Sequence, residues 1–321
     1  MFWNQVVETL PKADMAVWQN HKLIKLVERV YEKSEFYHKR MEEHDVKPEG
    51  IKSVDDLVKL PLTNRSDVAD NYPYGLLTLP ISSVSYIHKS QDADKMPTAV
   101  GYTGNDMVMW TELMSRMLVA GGVNVTSVFQ MALSGEQYPS RLGVCDGARQ
   151  IGAAFVAAAS DTISQQVLLI QDFGVNGVFS TAEYMLALAQ EARNIGIDPK
   201  ELPLHTIFCS IQSLEKNGFT EIEKEYGVQV LGIYGLDDVF GMGIGGECHC
   251  RDGIHIQEDC FYPEVVDPAN GQVLPAGQRG ELVLTSLIME AMPLIRYRTG
   301  IQGYLDGDQC ACGRTLVRLK K

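Results

Sequence analysis

At 321 residues, with 45% apolar and 21% charged side chains, the chain has an ordinary globular composition and length for about two domains or one multi-lobed unit. Its formal charge of -13 excludes nucleic acid or an anionic membrane as the main partner, since both demand a basic face. No apolar run approaches membrane-spanning length, and MFWNQVVETLPKAD lacks the basic-then-apolar order of a secretory signal, so a cytoplasmic protein is expected.

In chain order, Val17, Leu23, Ile24, Leu26, Val27, Val30 and Tyr31 recur at three- and four-residue spacings, which predicts a helix over 16–45. Ser53 followed by Val54-Asp55-Asp56-Leu57 reads as a short helix start with acid in its first turn, and Pro61 ends it. Val84–Ile87 alternates like a strand. Helices are then predicted over Met107–Ala120, Arg141–Ile151, Ile163–Asp172 and Ala182–Ile195. Strands are predicted over Val123–Met131, Ala153–Ala158, Gly177–Ser180, Thr206–Ser210 and Gln229–Tyr234. Such alternation implies a mostly parallel sheet flanked by helices.

After Gly235 the pattern changes. Glycines crowd into Gly241–Gly246, and strand-like segments follow at His255–Gln257, Tyr262–Val266 and Glu281–Leu287, punctuated by Asp267–Gly271 and Pro275–Gly277. The expected organisation is a helical segment over 1–80, α/β lobes over 81–240 and a mainly β lobe over 241–321. Five of the seven cysteines lie in that last part. The odd count and the clustering favour metal binding in a reducing compartment over a disulfide framework.

Tyr234-Gly235-Leu236, the run Met292–Gly300 and Cys310-Ala311-Cys312-Gly313-Arg314-Thr315 resemble the phenylacetate–CoA ligases and coenzyme F390 synthetase-like proteins, which are adenylate-forming enzymes. WNQVVETLP, LVERVYEKSEFYHKRMEE, NYPYGLL, VGYTGNDMVMW and DFGVNGVFST extend the likeness over nearly the whole chain. The resemblance implies an α/β fold, that of the large N-terminal region of such a ligase, with two α/β lobes and a small zinc-bearing β lobe. It also implies a chemistry: Mg-ATP adenylates an aromatic carboxylate, and the acyl group then passes to coenzyme A. In that family a mobile C-terminal domain follows the CxCGRT motif and carries the adenylation lysine. This sequence stops at Lys321, so the lysine is expected to be absent.

Carried residue by residue, the resemblance predicts an eroded nucleotide site. Where relatives have the phosphate loop SSGTTGKPT, this chain has a stretch within 88–98 that lacks both glycines and places Asp92 and Asp94 against a polyanion. Each like-charge pair at about 4 Å costs on the order of 4 kcal/mol at an effective dielectric near 20; Lys89 and Lys95 offset part of it. The adenine-side GAEPW-like segment reads Cys209-Ser210-Ile211-Gln212-Ser213, and Ile301 replaces the ribose-binding aspartate, whose proton-accepting role an isoleucine cannot fill. The aromatic YGYGLFTGG acid pocket becomes Leu133–Arg141.

Three features persist. Tyr234 keeps the ring that would stack on adenine, Asp238 takes the place of the Mg-binding glutamate, and Arg298 keeps its charge. Each has a structural alternative: core aromatic, helix-cap acid and ion-pair partner. The resemblance also selects Cys248, His255, Cys310 and Cys312 as a closed tetrahedral zinc set, with Cys250, Cys260 and His249 as competitors. No GxSxG elbow is present, and Cys145 and Cys209 read as inert buried thiols.

Two functions follow. The first is a diverged, non-adenylating homologue that binds a small aryl or acyl acid-type ligand or pairs with a partner subunit. The second is an active AMP-forming aryl-acid–CoA ligase or acyl transferase completed by a separate polypeptide. Zinc is the expected metal, Mg-ATP and coenzyme A are not expected to serve the chain alone, and a homodimer is the assembly the family suggests.

Overall fold

The computed structural model describes residues 1–89, 96–133, 142–158, 162–211 and 218–321. The chain begins with α1 (Gln5–Glu8), α2 (Lys12–Lys33) and α3 (Glu35–Glu43). The single helix predicted over 16–45 is therefore broken. Ser34 adopts extended backbone at φ -111°, ψ 114°, and its hydroxyl accepts from the Tyr37 N–H, starting α3 afresh. Leu23, Leu26, Val27 and Val30 are buried along one stripe of α2, whereas Val17 is exposed. Ser53 and Asp56 form a capping box on a 3-10 turn at Val54–Lys59. A second box, Asn64 with Asp67, opens α4 (Arg65–Asp70).

A two-stranded antiparallel pair follows, β1 (Tyr86–Lys89) and β2 (Ala99–Tyr102). Then come α5 (Gly104–Ala120), β3 (Val128–Met131), α6 (Leu142–Ile151), β4 (Ala154–Val156), α7 (Ile163–Asp172) and β5 (Gly177–Ser180). They are followed by α8 (Ala182–Asn194), β6 (Thr206–Ile211), α9 (Phe219–Tyr226) and β7 (Gln229–Leu236). The remainder is strand: β8 (Gly241–Gly246), β9 (Ile254–Ile256), β10 (Phe261–Val266), β11 (Gly280–Ser286), β12 (Tyr297–Asp306) and β13 (Arg318–Lys320).

β3 to β13 form one mixed sheet in the order β10-β11-β12-β13-β9-β8-β7-β6-β5-β3-β4. The run β4-β3-β5-β6-β7 is parallel and everything from β7 to β10 is antiparallel. From β3 the chain moves to β4 on one side and later to β5 on the other. The β3/β5 carboxyl ends are thus a topological switch point, where open α/β sheets place ligands. There the Ser180 hydroxyl donates to the Ala132 carbonyl at 2.6 Å.

α5 packs with α6 and against β8, while α7, α8 and α9 pack together as a second group. Trp110, Phe129, Phe179, Phe208, Phe240 and Phe261 are fully buried; each such side chain contributes about 1.5–3 kcal/mol relative to exposure. Glycine permits the join between the parallel and antiparallel parts. At the β7–β8 bulge a Cβ on Gly235 would lie 2.2 Å from the Gly241 carbonyl oxygen. No described helix is long and apolar enough to cross a membrane.

Candidate functional site

The strand order brings the segment after β8, strand β9 and the β12–β13 turn to one place. Cys248 follows β8, His255 lies in β9, and Cys310 and Cys312 sit in the turn between β12 and β13. β13 inserts between β12 and β9 and puts Arg318 opposite His255. The three sulfurs and one ring nitrogen all lie within 4.8 Å of one another. Cys248 Sγ and Cys310 Sγ are 3.8 Å apart, and Cys312 Sγ and His255 Nε2 are 3.6 Å apart. A tetrahedral ion with metal–sulfur bonds of about 2.3 Å and metal–nitrogen bonds of about 2.0–2.1 Å has edges of about 3.8 Å and about 3.6 Å. The residues present therefore fit an ion of zinc's size.

The surroundings suit a metal as well. His255 Nδ1 faces the Leu316 carbonyl at 3.4 Å, which leaves Nε2 for the ion. Cys248, His255 and Cys310 are buried and Cys312 is partly exposed. The Cys312 thiol is drawn below its ordinary value by the bond to Cys248 first, then by His255 and Arg314. The competitors stand apart. His249 is exposed, and Cys260 belongs to the main core beside Asp259 and Arg116, where burial pushes its thiol up. Cys250 packs at the cluster's edge without joining its four ligand atoms.

The second set of residues gathers near the carboxyl end of β7. Tyr234 lies in β7 between Ile211 and Gly245, fully buried, and burial pushes its phenol up. Asp238 is held by three other parts of the chain. Thr98, just before β2, donates its hydroxyl to Oδ1. Tyr297, at the start of β12, donates its hydroxyl to Oδ2 at 2.9 Å, and the Arg65 Nε from α4 stands 3.2 Å from the same oxygen. Burial and the neighbouring Asp238 carboxylate push the Tyr297 phenol up. Arg65 also donates to the Met96 carbonyl at 3.0 Å.

Arg298 turns to the adjacent strand. Its Nε donates to Glu281 at 2.9 Å and a terminal nitrogen donates to the Pro268 carbonyl at 2.9 Å. The same carboxylate accepts from the Gly300 N–H at 3.0 Å. Ile301 is buried in β12. The arginine two positions earlier, Arg296, is committed to the core. It meets Glu264 twice at 3.1 Å and donates to the Leu60 carbonyl at 2.8 Å.

Of the phosphate-loop stretch, His88, Lys89 and 96–98 are described; Asp92, Asp94 and Lys95 lie outside the described residues. Gln212, Ser213 and all of the altered acid pocket after Leu133 do so too. Sequence reasoning passed over Arg65, Thr98 and Tyr297. Of these, Thr98 ends the phosphate-loop stretch and Tyr297 stands inside the Met292–Gly300 motif, while Arg65 belongs to neither.

No family model matches the chain. The phenylacetate-coenzyme A ligase of Thermus thermophilus is 37% identical over 320 residues, which is 99% of this chain and 72% of that protein. The enzyme of the same name from Pseudomonas putida is 35% identical over 298 residues, covering 92% of this chain and 68% of its own length. Among solved structures, an open conformation of 2-hydroxyisobutyryl-CoA ligase in complex with 2-HIB-AMP and CoA superposes with a TM-score of 0.91. It covers 99% of this chain and 71% of that one at 24% identity, a likeness of fold. With a mixed sheet of this order and relatives more than one-third identical over nearly all its length, the chain belongs to the phenylacetate–CoA ligase family of adenylate-forming enzymes.

Proposed function

We propose that this chain is a diverged phenylacetate–CoA ligase homologue that does not adenylate an acid by itself. In this reading it binds a small aryl or acyl acid-type ligand, or a partner subunit. What carries the proposal is the state of Asp238. Its oxygens are taken up by Thr98, Tyr297 and Arg65, so a guanidinium stands where a relative's carboxylate would face Mg2+. A dication about 4 Å from that guanidinium meets about 8 kcal/mol of repulsion at an effective dielectric near 20, before screening. Ile301 and the inward-facing Tyr234 support the same reading, because neither offers a ribose acceptor or an open stacking face. In this reading Mg-ATP is not held by the chain alone, because Asp238 already carries a guanidinium.

Cys248, His255, Cys310 and Cys312 would hold a zinc ion. Four protein ligands leave no open position for catalysis, so the ion ties β9 to the β12–β13 turn. Thiolate ligation of this kind suits the reducing cytoplasm.

One observation favours an active ligase completed by a second polypeptide. The Arg65 side chain is 27% exposed and has room to swing away from Asp238. Hydroxylamine trapping, run on the chain alone and again with a relative's C-terminal domain added in trans, decides between the two. The chain incubated with Mg-ATP and a panel of aromatic acids yields no acyl-hydroxamate if the proposal holds. Hydroxamate above the no-enzyme blank defeats it.

A further inference from the structure

Arg314 lies two residues past Cys312, is 2% exposed, and has an acceptor for each of its three nitrogens, Nε and Nη2 sharing Glu8 Oε2. Nε donates to Glu8 at 2.8 Å, Nη2 to the Met1 carbonyl at 2.8 Å, and Nη1 to the Cys312 sulfur at 3.6 Å. Its guanidinium carbon lies 4.9 Å from the centroid of the Phe2 ring. Glu8 is fully buried, and its other oxygen accepts the Trp3 and Asn4 N–H groups at 2.8 Å each. Thr315 extends the contact, its hydroxyl donating to the Leu10 carbonyl at 2.7 Å. The turn is shaped for this. Gly313 has φ +92°, and a Cβ there would approach the Phe2 ring to 3.2 Å.

We infer that the metal centre fastens the N-terminal segment: metal-held Cys312 orients Arg314, and Arg314 clamps Met1–Glu8 against the last turn of the chain. This rests on the reading of the four-residue cluster as a metal centre. Zinc with three thiolates and a neutral imidazole carries one net negative charge, so the guanidinium meets a charged acceptor. Without the ion, the 310–314 turn keeps its backbone bonds, such as Gly313 N to the Cys310 carbonyl at 2.9 Å, and the Gln309 side-chain bond to the Gly313 carbonyl at 3.3 Å, but loses the tie that fixes Cys312 to Cys248 and His255. Arg314 is then a positioning residue for the metal. By linkage, whatever the ion contributes to holding the N-terminus, the N-terminus returns as metal affinity.

A second anchor makes the effect local. Glu112 of α5 accepts from Trp3 Nε1 at 2.7 Å and from Asn4 Nδ2 at 3.1 Å, independently of the metal. Loss of the ion should loosen residues 1–10 while the sheet interior is untouched.

The experiment is hydrogen exchange on the full chain, metal-loaded and chelator-stripped, with metal content measured in parallel. Exchange in residues 1–10 should rise by about tenfold or more on stripping, with β6 and β7 unchanged. Metal-loaded Arg314→Gln should show the same loosening. It should also bind zinc about 10–100-fold more weakly in competition with a chromophoric chelator. Equal protection of residues 1–10 with and without the ion overturns the inference, as does an Arg314→Gln protein that keeps both its protection and its affinity. If stripping unfolds the whole chain, the loaded variant alone decides. A wild-type chain that takes up no metal overturns the metal-centre reading along with this one. A chain that binds metal but has an indifferent N-terminus overturns this one only.

Discussion

Glu258 gives the most quantitative prediction. Its carboxyl reaches from the β9–β10 turn toward α2 and the last strand, where Oε2 accepts the Val317 N–H at 2.5 Å. It borders a cavity of about 140 Å³ shared with Lys12, Met15, Gln19 and Thr315. Burial pushes the carboxyl from an ordinary 4.5 up to about 7; the Val317 N–H and Lys12 oppose the shift, and Asp259 adds to it. The folded chain therefore holds a proton that the unfolded chain has released between these two values. The stability linked to that proton is fully present below 4.5 and lost as pH rises through 7. From pH 5.5 to 8.5 the loss is about 2 kcal/mol. Urea unfolding across that range, with zinc in excess throughout, should show the wild type losing about this much more than Glu258→Gln. The glutamine keeps an acceptor for Val317 but cannot titrate. Parallel pH profiles for the two proteins would refute the reasoning.

Other expectations follow from the same geometry. Arg296→Met strands the buried Glu264 carboxylate and should destabilise by about 3–5 kcal/mol in urea unfolding; Arg296→Met with Glu264→Leu should recover most of it. Gly235→Ala forces a Cβ against the Gly241 carbonyl oxygen and the Met242 Cα, both backbone, so a loss of about 3 kcal/mol or more is expected from the same measurement. Cys312→Ser should abolish the bound metal by elemental analysis and lower Tm, whereas Cys260→Ser should leave the metal content unchanged.

What could be read in advance was what is written locally. α7 and β5 fall where apolar spacing and bounding turns place them, and Thr162 with Gln165 closes a capping box on α7. The helix predicted over 16–45 failed at Ser34, where a cap competes with propagation through an otherwise periodic run. β8 reads as a glycine cluster because its strand character comes from its neighbours. A Cβ on Gly246 would lie 2.4 Å from the Met117 sulfur, so close packing on α5 selects glycine against strand propensity. α9 carried a legible signal, Phe219, Ile222 and Tyr226 at helical spacing, in a segment short enough to pass over.

The sites divide in the same way. The family resemblance picks Cys248, His255, Cys310 and Cys312 out of the clustered cysteines and histidines, and the β9–β13 pairing brings them together. The partners of Asp238 could not be found like that. Thr98 and Tyr297 lie in two of the matched motifs but were not singled out there, Arg65 lies in none, and only the tertiary fold makes the three one cluster. Arg314 carries a similar lesson: its motif is visible, but its counter-ion Glu8 is at the other end of the chain.

The account turns on whether the Asp238 cluster excludes a metal-bound nucleotide. Isothermal titration of the metal-loaded chain with Mg-ATP measures this directly. No saturable heat should appear below a Kd of about 1 mM, that is, at binding tighter than about -4 kcal/mol. A saturable isotherm with a Kd in the micromolar range, lost in Asp238→Asn, would contradict it.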